Sequence, residues 1–179
     1  MRIFIAALIP QDICAKLTNY INILKHNIDG VKWEKSEKLH VTLKFLGDVD
    51  ESKADEISNM LDKLVHSYSP FELELAGFGG FPDLKQPRVL YAGLSRNSGL
   101  SKFHSELDQY LCRIGFEKEN RKFIPHITLA RVKKRVHIKE TLPAITHSVF
   151  DITHIGLIKS ELRPEGSVYT PVQIFKLGK

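Results

Sequence analysis

The sequence has little cysteine and no long hydrophobic run. Its two cysteines, Cys14 and Cys112, lack a paired Cys-x-x-Cys spacing, which favours plain buried thiols over a disulfide framework or a zinc site. The apolar run at 3–9 ends at Pro10 and is too short for a membrane span or a signal peptide. We therefore expect a cytoplasmic protein that does not enter a membrane.

Low-complexity linkers are also missing. The chain has 179 residues, 42% of them hydrophobic, which is enough for one folded core. We predict a single domain over residues 1–179. Lys and Arg number 26 against 21 Asp and Glu, a net charge of +5, and this mild excess favours a polyanionic partner such as nucleic acid.

Hydrophobic periodicity predicts an α+β domain with roughly seven strands and three helices. Apolar residues recur at helical spacing after Pro10, where Ile13, Leu17, Tyr20, Ile21 and Leu24 follow one another, and again over 51–66 and 98–114. Strand-like runs occupy 2–8, 40–46, 71–78, 88–94, 123–132, 150–159 and 167–177. The β-then-α order recurs, so we expect two internally similar lobes.

A His-x-Thr-Leu motif occurs once in each half of the chain. It reads HVTL over 40–43 and HITL over 126–129. Because side chains alternate along a strand, His40 shares a face with Thr42, and His126 with Thr128. If each strand lies at the middle of its lobe, a pseudo-twofold axis brings these four side chains together across a groove.

Two facing imidazoles suit in-line displacement at phosphorus. A neutral imidazole takes a proton from the attacking oxygen, and a protonated one gives a proton to the leaving oxygen. Threonine hydroxyls can donate to the non-bridging phosphate oxygens. A single strand histidine more often satisfies a backbone group, so the repetition carries the catalytic interpretation. A metal centre is a weaker alternative, because each strand offers one good ligand and no Cys or carboxylate cluster is near.

The sequence resembles the 2H phosphoesterase superfamily, specifically the RNA 2′,3′-cyclic phosphodiesterases that are also called 2′-5′ RNA ligases. The likeness lies in the opening strand at 2–6, in WEKSEKLHVTLKFLG over 33–47, in PHITLAR over 125–131, and in a closing hairpin with LIKSEL over 157–162, Gly166 and Tyr169. The resemblance implies a bilobal α+β fold with two pseudo-symmetric lobes of mainly antiparallel sheet, helices on the outside and a central groove.

The resemblance also implies an activity. It implies metal-independent and cofactor-free hydrolysis of the 2′,3′-cyclic phosphate at an RNA end, such as that of a tRNA fragment, to a 2′-phosphate. The reverse reaction would join such an end to a 5′-hydroxyl through a 2′-5′ bond. On this basis we expect a monomer that acts on RNA.

The same resemblance assigns individual roles. His40 corresponds to the proton donor for the departing 3′-oxygen, His126 to the proton acceptor that activates water, and Thr42 and Thr128 to phosphate-binding residues. Arg131 follows the second motif and can hold a phosphate oxygen. Strict alternation points Arg131 away from His126, however, so a bulge or strand end near Ala130 is required. Lys44 falls on the His40 face by alternation and is a weaker cation candidate.

Other clusters receive minor interpretations. His104, Glu106 and Asp108 are interpreted as parts of a solvated helix surface, and the run 133–135 as an exposed loop that can add phosphate contacts. Some of the aromatic residues can form a base-stacking platform, although core positions are the simpler interpretation; these are Trp33, Phe78, Phe81 and Tyr91. His137, His147 and His154 are interpreted as structural or exposed.

Three alternatives to RNA-end hydrolysis stay open. Two are related enzymes, one acting on small cyclic nucleotides and one on 2′-5′-linked oligonucleotides. The third is a non-catalytic module that binds RNA or a nucleotide. The presence of both histidines and both threonines argues against the third, since binding alone does not require two groups that exchange protons.

Overall fold

The computed structural model describes residues 1–133, 142–164 and 166–178. Its helices are α1 (Gln11–Lys25), α2 (Glu51–Val65) and α3 (Ser98–Arg113), with a short 3₁₀ helix at Ser36–Lys38. Its strands are β1 (Arg2–Leu8), β2 (Val31–Trp33), β3 (His40–Asp48), β4 (Phe71–Phe81), β5 (Val89–Leu94), β6 (His126–Val132), β7 (Val149–Ile152), β8 (His154–Arg163) and β9 (Gly166–Lys176). The predicted α+β class is confirmed.

The strands of the described part of the chain form one sheet in the order β7-β4-β5-β6-β3-β1-β8-β9, with β2 paired to β6. Each pairing is antiparallel. The two strands that carry the repeated motif, β3 and β6, are therefore neighbours at the centre of the sheet.

The run predicted as one strand at 150–159 is two strands, and that prediction was wrong. β7 pairs with β4 and β8 pairs with β1, so the two strands lie toward opposite ends of the strand order. Only Thr153 separates them in the chain. The sheet must therefore curve strongly, so that its two ends approach each other.

The two halves of the sheet repeat one arrangement. The unit β1–α1 leads to β3, which pairs with β1, and the unit β5–α3 leads to β6, which pairs with β5. This repetition agrees with the two similar lobes predicted for the fold. It sets the two motifs in equivalent places on either side of the centre.

The helices cover one face of the sheet. Ile13, Leu17 and Ile21 of α1 are buried in the main core, together with Ile3 and Ile5 of β1. The alternate residues of β1, Phe4 and Ala6, belong to a separate small cluster with Ile158. One face is thus the hydrophobic core, and the other is left for the site.

The helices α2 and α3 each begin after a residue whose side chain caps the helix. The Asp50 side chain accepts a hydrogen bond from the Lys53 N–H (2.7 Å), and the Asn97 side chain accepts one from the Leu100 N–H (2.8 Å).

Cys14 and Cys112 are free thiols, each half-buried. No helix in the described ranges has the length and apolar character needed to cross a membrane.

Candidate active site

The two predicted histidines lie on either side of the central seam of the sheet. β3 and β6 meet at a single antiparallel bridge between Val41 and Ile127, which are both fully buried. Extending this register by one residue in each direction places His40 opposite Thr128 and Thr42 opposite His126. These four side chains are half-buried and lie on the face away from the helices. The fold therefore brings both motifs together.

Both imidazoles are oriented by the same contact. Nδ1 of His40 is 2.7 Å from the Lys38 carbonyl oxygen, and Nδ1 of His126 is 2.7 Å from the Ile124 carbonyl oxygen. A carbonyl oxygen only accepts, so Nδ1 of each ring carries a proton and donates it. Nε2 of each ring is then the nitrogen available for proton transfer. In His40 it lies 3.0 Å from Thr42 Oγ1.

Aromatic rings surround each imidazole. The rings of Phe4 and Tyr169 lie 5.0 and 5.7 Å from that of His40, between centroids. The rings of Phe81 and Tyr91, which stack on each other at 4.5 Å, lie 4.9 and 5.2 Å from that of His126. These rings limit the access of water to each imidazole.

Two of the four aromatic residues considered from sequence are thus beside the site, while Trp33 and Phe78 pack against the core clusters. Sequence reasoning missed Phe4, because one apolar residue of an apolar strand carries no signal for which face it occupies. From the sequence, Tyr169 was noted only as part of the segment that resembles the closing hairpin of the family.

Burial lowers the pKa of both histidines. The pKa of His40 falls from 6.5 to about 4, chiefly because of burial; the bond to Lys38 opposes the shift, and the charges of Arg131 and His126 add to it. The pKa of His126 is lowered by burial and by Arg131, against the bond to Ile124. Both imidazoles are therefore mainly neutral at pH 7 in the protein by itself. A bound phosphate anion would favour their protonated forms.

Arg131 reaches the histidine side through a β-bulge. In the pairing of β5 with β6, Leu90 faces Ala130 and Tyr91 faces Thr128, so Leu129 is an extra residue on β6. The bulge that alternation required near Ala130 is present. Arg131 Nε lies 3.5 Å from Glu34 Oε1, and the arginine's charge acts on both histidines.

The expectation that Lys44 shares the His40 face was wrong. In the pairing of β1 with β3, Ile5 faces Lys44 and Ala6 faces Thr42, so Leu43 is an extra residue on β3. Beyond this bulge Lys44 turns toward α3, where Nζ donates to Asp108 Oδ1 at 2.6 Å and to the Glu117 carbonyl oxygen at 2.8 Å.

The two bulges are equivalent, since each extra residue is the leucine of a His-x-Thr-Leu motif. The residue five positions after each histidine consequently lies on the histidine face. In β6 that residue is Arg131, and in β3 it is Phe45, whose ring centroid is 5.8 Å from that of Phe4.

The interpretation of α3 as a solvated surface was wrong for two residues. Asp108 is 7% exposed and accepts hydrogen bonds from Lys44 and from the Glu119 N–H. His104 stacks on Phe123 with ring centroids 4.0 Å apart. Burial alone would raise the pKa of Asp108, but the bonds from Lys44 and Glu119 hold it below its ordinary value.

The other residues considered from sequence lie apart from the seam. His147 is exposed and contacts Glu74, and His154 Nδ1 lies 2.8 Å from Thr153 Oγ1. Lys133 is exposed, whereas residues 134 and 135 of the basic run, and His137, lie outside the described residues. Across the ranges described, no three His, Cys, Asp or Glu side chains are grouped as a metal site would need.

The geometry brings two imidazole nitrogens and two hydroxyls to one place, with a guanidinium nearby. This set can hold the oxygens of one phosphate and move protons to and from them.

In comparisons with known proteins, the family model described as LigT like Phosphoesterase matches residues 8–91 and 94–169.

Among curated relatives, an RNA 2′,3′-cyclic phosphodiesterase of Methanocaldococcus jannaschii is 35% identical, over 97% of this chain and 99% of that one. The protein of the same name from Thermotoga maritima is 38% identical, over 94% of this chain and 91% of that one. Among solved structures, one from Thermus thermophilus has a TM-score of 0.89 at 29% identity and covers 100% of both chains. LigT of E. coli in complex with 3′-AMP has a TM-score of 0.81 at 26% identity, covering 99% of this chain and 98% of that one.

Proposed function

The chain belongs to the LigT-like phosphoesterase family, and we propose that it is an RNA 2′,3′-cyclic phosphodiesterase that opens the cyclic phosphate at an RNA end. The observation that carries this proposal is the paired imidazoles at the seam of β3 and β6. Each has its Nδ1 committed to a backbone carbonyl and its Nε2 left for proton transfer. Two such groups are what hydrolysis of a phosphodiester by acid and base requires.

In the proposed mechanism His126 is the proton acceptor and His40 the proton donor. Nε2 of His126 takes a proton from water as the water oxygen bonds to phosphorus, opposite the 3′-oxygen. The bond from phosphorus to the 3′-oxygen breaks, and Nε2 of His40 gives that oxygen a proton. The products are a 3′-hydroxyl and a 2′-phosphate.

Charge at the phosphate is met by Thr42, Thr128 and Arg131 in this proposal. The hydroxyls donate to the non-bridging oxygens as negative charge gathers on them, and the guanidinium adds a charged donor. The depressed pKa of His40 means that the anionic substrate must help to protonate it. A negative charge beside an imidazole does this by favouring the cation.

The proposal extends to properties beyond the reaction. The enzyme needs no metal or cofactor, because proton transfer and hydrogen-bond donors supply the chemistry. It acts in the cytoplasm as a monomer of a single domain, on cyclic-ended RNA such as tRNA fragments. Run in reverse, the same groups would join a cyclic-phosphate end to a 5′-hydroxyl by a 2′-5′ bond.

The test is incubation of the purified protein with cyclic-ended RNA in excess chelator, with the products separated by chromatography. We expect turnover to a 2′-phosphate end. His40→Ala and His126→Ala should each lower the rate by on the order of 10² to 10⁴, and the double variant should be little worse than either, because the pair acts as a unit. His147→Ala, at an exposed histidine away from the seam, is the matched control.

Each part of the proposal can fail separately. Turnover that chelator abolishes and a divalent metal restores would contradict metal independence. A predominant 3′-phosphate product would contradict the assigned roles. Near-normal rates in either alanine variant would contradict the two-histidine mechanism.

A further inference from the structure

His104 contacts both halves of the site from the helix side of the sheet. It lies in α3 and is half-buried, and the helices cover the face of the sheet opposite to the one that holds His40 and His126. His104 therefore cannot touch a phosphate bound between those two histidines. Any effect that it has on the reaction must pass through the residues that it contacts.

The first contact is a hydrogen bond to the bulge of β3. The imidazole of His104 bonds to the backbone of Leu43, the extra residue of that bulge. This bond raises the pKa of the ring, as a bond to an accepting carbonyl does, so the ring N–H donates to the Leu43 carbonyl oxygen. A donor from outside the strand fixes the direction of a backbone group in a bulge. The residue before Leu43 is Thr42, whose hydroxyl lies 3.0 Å from Nε2 of His40.

The equivalent bulge of β6 has an equivalent contact. The carbonyl oxygen of Leu129, its extra residue, accepts a hydrogen bond of 2.8 Å from the Glu34 N–H. Glu34 directly follows β2, the short strand that pairs with β6. Within the described residues, β3 pairs with β6 at Val41 only and has no counterpart of β2. On β3 the side chain of His104 thus supplies the donor that a backbone N–H supplies on β6.

The second contact leads to His126. The ring of His104 stacks on that of Phe123, with 4.0 Å between the centroids and 12° between the planes. Phe123 is followed by Ile124, whose carbonyl oxygen lies 2.7 Å from Nδ1 of His126 and accepts its proton. Residues 122–125 belong to no strand, so a stacked ring, rather than a strand ladder, holds the Ile124 carbonyl in place.

We propose that His104 is a positioning residue for both halves of the site: its ring N–H holds the bulge that places Thr42, and its stacked ring holds the backbone that orients His126. The inference rests on the proposed two-histidine reaction and adds a residue to it. Burial lowers the pKa of His104, so the ring is mainly neutral at pH 7. Its single N–H is then committed to Leu43.

Three substitutions separate the two contacts. His104→Phe keeps a ring on Phe123 but has no N–H, His104→Gln keeps a donor but has no ring, and His104→Ala has neither. We expect His104→Phe to lower kcat on a cyclic-ended dinucleotide about tenfold with KM little changed, because a displaced Thr42 hydroxyl is missed in the transition state. In a Thr42→Val background the same substitution should cost almost nothing further. Gln109→Ala, at an exposed position of α3, should keep the wild-type kcat.

The stacking contact is measured without any reaction. Proton–nitrogen NMR spectra of the imidazoles show which nitrogen of His126 carries the proton, and a pH titration of the same signals gives its pKa. We expect the proton on Nδ1 in wild type and in His104→Phe. His104→Gln and His104→Ala should show a mixture of the two tautomers and a lower His126 pKa, since the bond to Ile124 raises that pKa and is weakened without the stack.

The outcomes separate this inference from the proposed function. If the wild-type protein has no turnover, the proposed function fails, and the His126 spectra still test the positioning role. Unchanged His126 spectra in both His104→Gln and His104→Ala, or a kcat near that of wild type in His104→Phe, would overturn the inference. Equal kcat losses in all three variants, with equal losses of unfolding free energy in urea, would also overturn it, because packing alone would then explain them.

Discussion

His40 shows how burial sets the chemistry of a single residue. Its ring packs against those of Phe4 and Tyr169, and burial there lowers its pKa to about 4. The proposed proton donor is thus mostly unprotonated at neutral pH until substrate binds. Catalysis by such a residue depends on the small protonated fraction and on the charge that the substrate brings.

A pH profile follows from these shifts. In the free protein His40 must be protonated while His126 is neutral, and the pKa of each is below 6.5. We expect kcat/KM to follow a bell with its maximum on the acid side of pH 6.5, because kcat/KM reports the free enzyme. The kcat maximum should lie at higher pH, since phosphate in the complex favours both imidazolium forms. Steady-state rates on a cyclic-ended dinucleotide from pH 4 to 9 measure both, and a profile that rises monotonically would contradict paired histidine catalysis.

Fold stability should depend on the same residue. The folded-state pKa of His40, about 4, is below the 6.5 of the unfolded chain, so the unfolded state binds more protons between these values. The stabilisation that His40 contributes to the folded state is fully present above pH 6.5 and is lost as pH falls toward 4. We expect His40 to account for about 2 kcal/mol of the unfolding free energy lost between pH 7 and pH 5.

Urea unfolding of wild type, His40→Gln and His26→Gln at both pH values measures this contribution. The His40 variant should lose less stability on acidification than wild type, whereas the variant at the exposed His26 should lose as much as wild type. Equal losses in all three proteins would contradict the burial argument.

At the scale of elements, the two bulges decide which side chains reach the site. Leu43 and Leu129 are the extra residues of the two motif strands. Beyond them, Phe45 and Arg131 lie on the histidine face, whereas Lys44 lies on the opposite face. The His-x-Thr spacing fixed the first part of each strand correctly, since alternation holds until the bulge. Nothing in the periodicity of β3 marks the bulge, and Lys44 was misplaced for this reason.

The helices were predictable because the helical spacing of apolar residues is a local feature of the sequence. The predicted helices at 51–66 and 98–114 differ from α2 and α3 by one residue at the C-terminal end. β2, with three residues, was missed because so short a strand has no period to detect. The burial of Asp108 was missed because its partner, Lys44, is distant in sequence and reaches it only through the bulge.

A glycine in β4 positions His126 indirectly. A Cβ at Gly79 would overlap the ring of Tyr91, which packs against His126 with 5.2 Å between ring centroids. We expect Gly79→Ala to displace this ring and lower kcat about tenfold, because small misplacements of a catalytic group are costly. Stability should change little, since the overlap is with the far end of a side chain.

A double-mutant cycle separates this positioning effect from a general one. In a Tyr91→Ala background the ring is gone, and Gly79→Ala should then cost almost nothing further in kcat. An equal loss in both backgrounds would show that Gly79 acts in some other way than through Tyr91.

At the scale of the whole molecule, the two halves of the sheet are joined by few direct strand contacts. β3 and β6 share one bridge, Val41 with Ile127. The seam is reinforced by β2, which precedes β3 in the chain yet pairs with β6. On the helix side the Lys44–Asp108 ion pair links β3 to α3, with each side chain 10% exposed. The placement of the two histidines thus depends on contacts between the halves.

The stability of the fold should depend on this ion pair. Removing one partner of a buried pair leaves the other charge without compensation, so Lys44→Met and Asp108→Asn should each lower the unfolding free energy by about 3 kcal/mol. The double variant Lys44→Met/Asp108→Leu should recover most of that loss, because neither charge is then buried.

Lys102→Met, at a pair that is largely exposed, should cost about 0.5 kcal/mol or less. Urea unfolding measures all four variants, and we expect one cooperative transition in each. A single-variant loss no greater than that of Lys102→Met would show that the pair does not join the halves, and two transitions would show that the halves unfold separately.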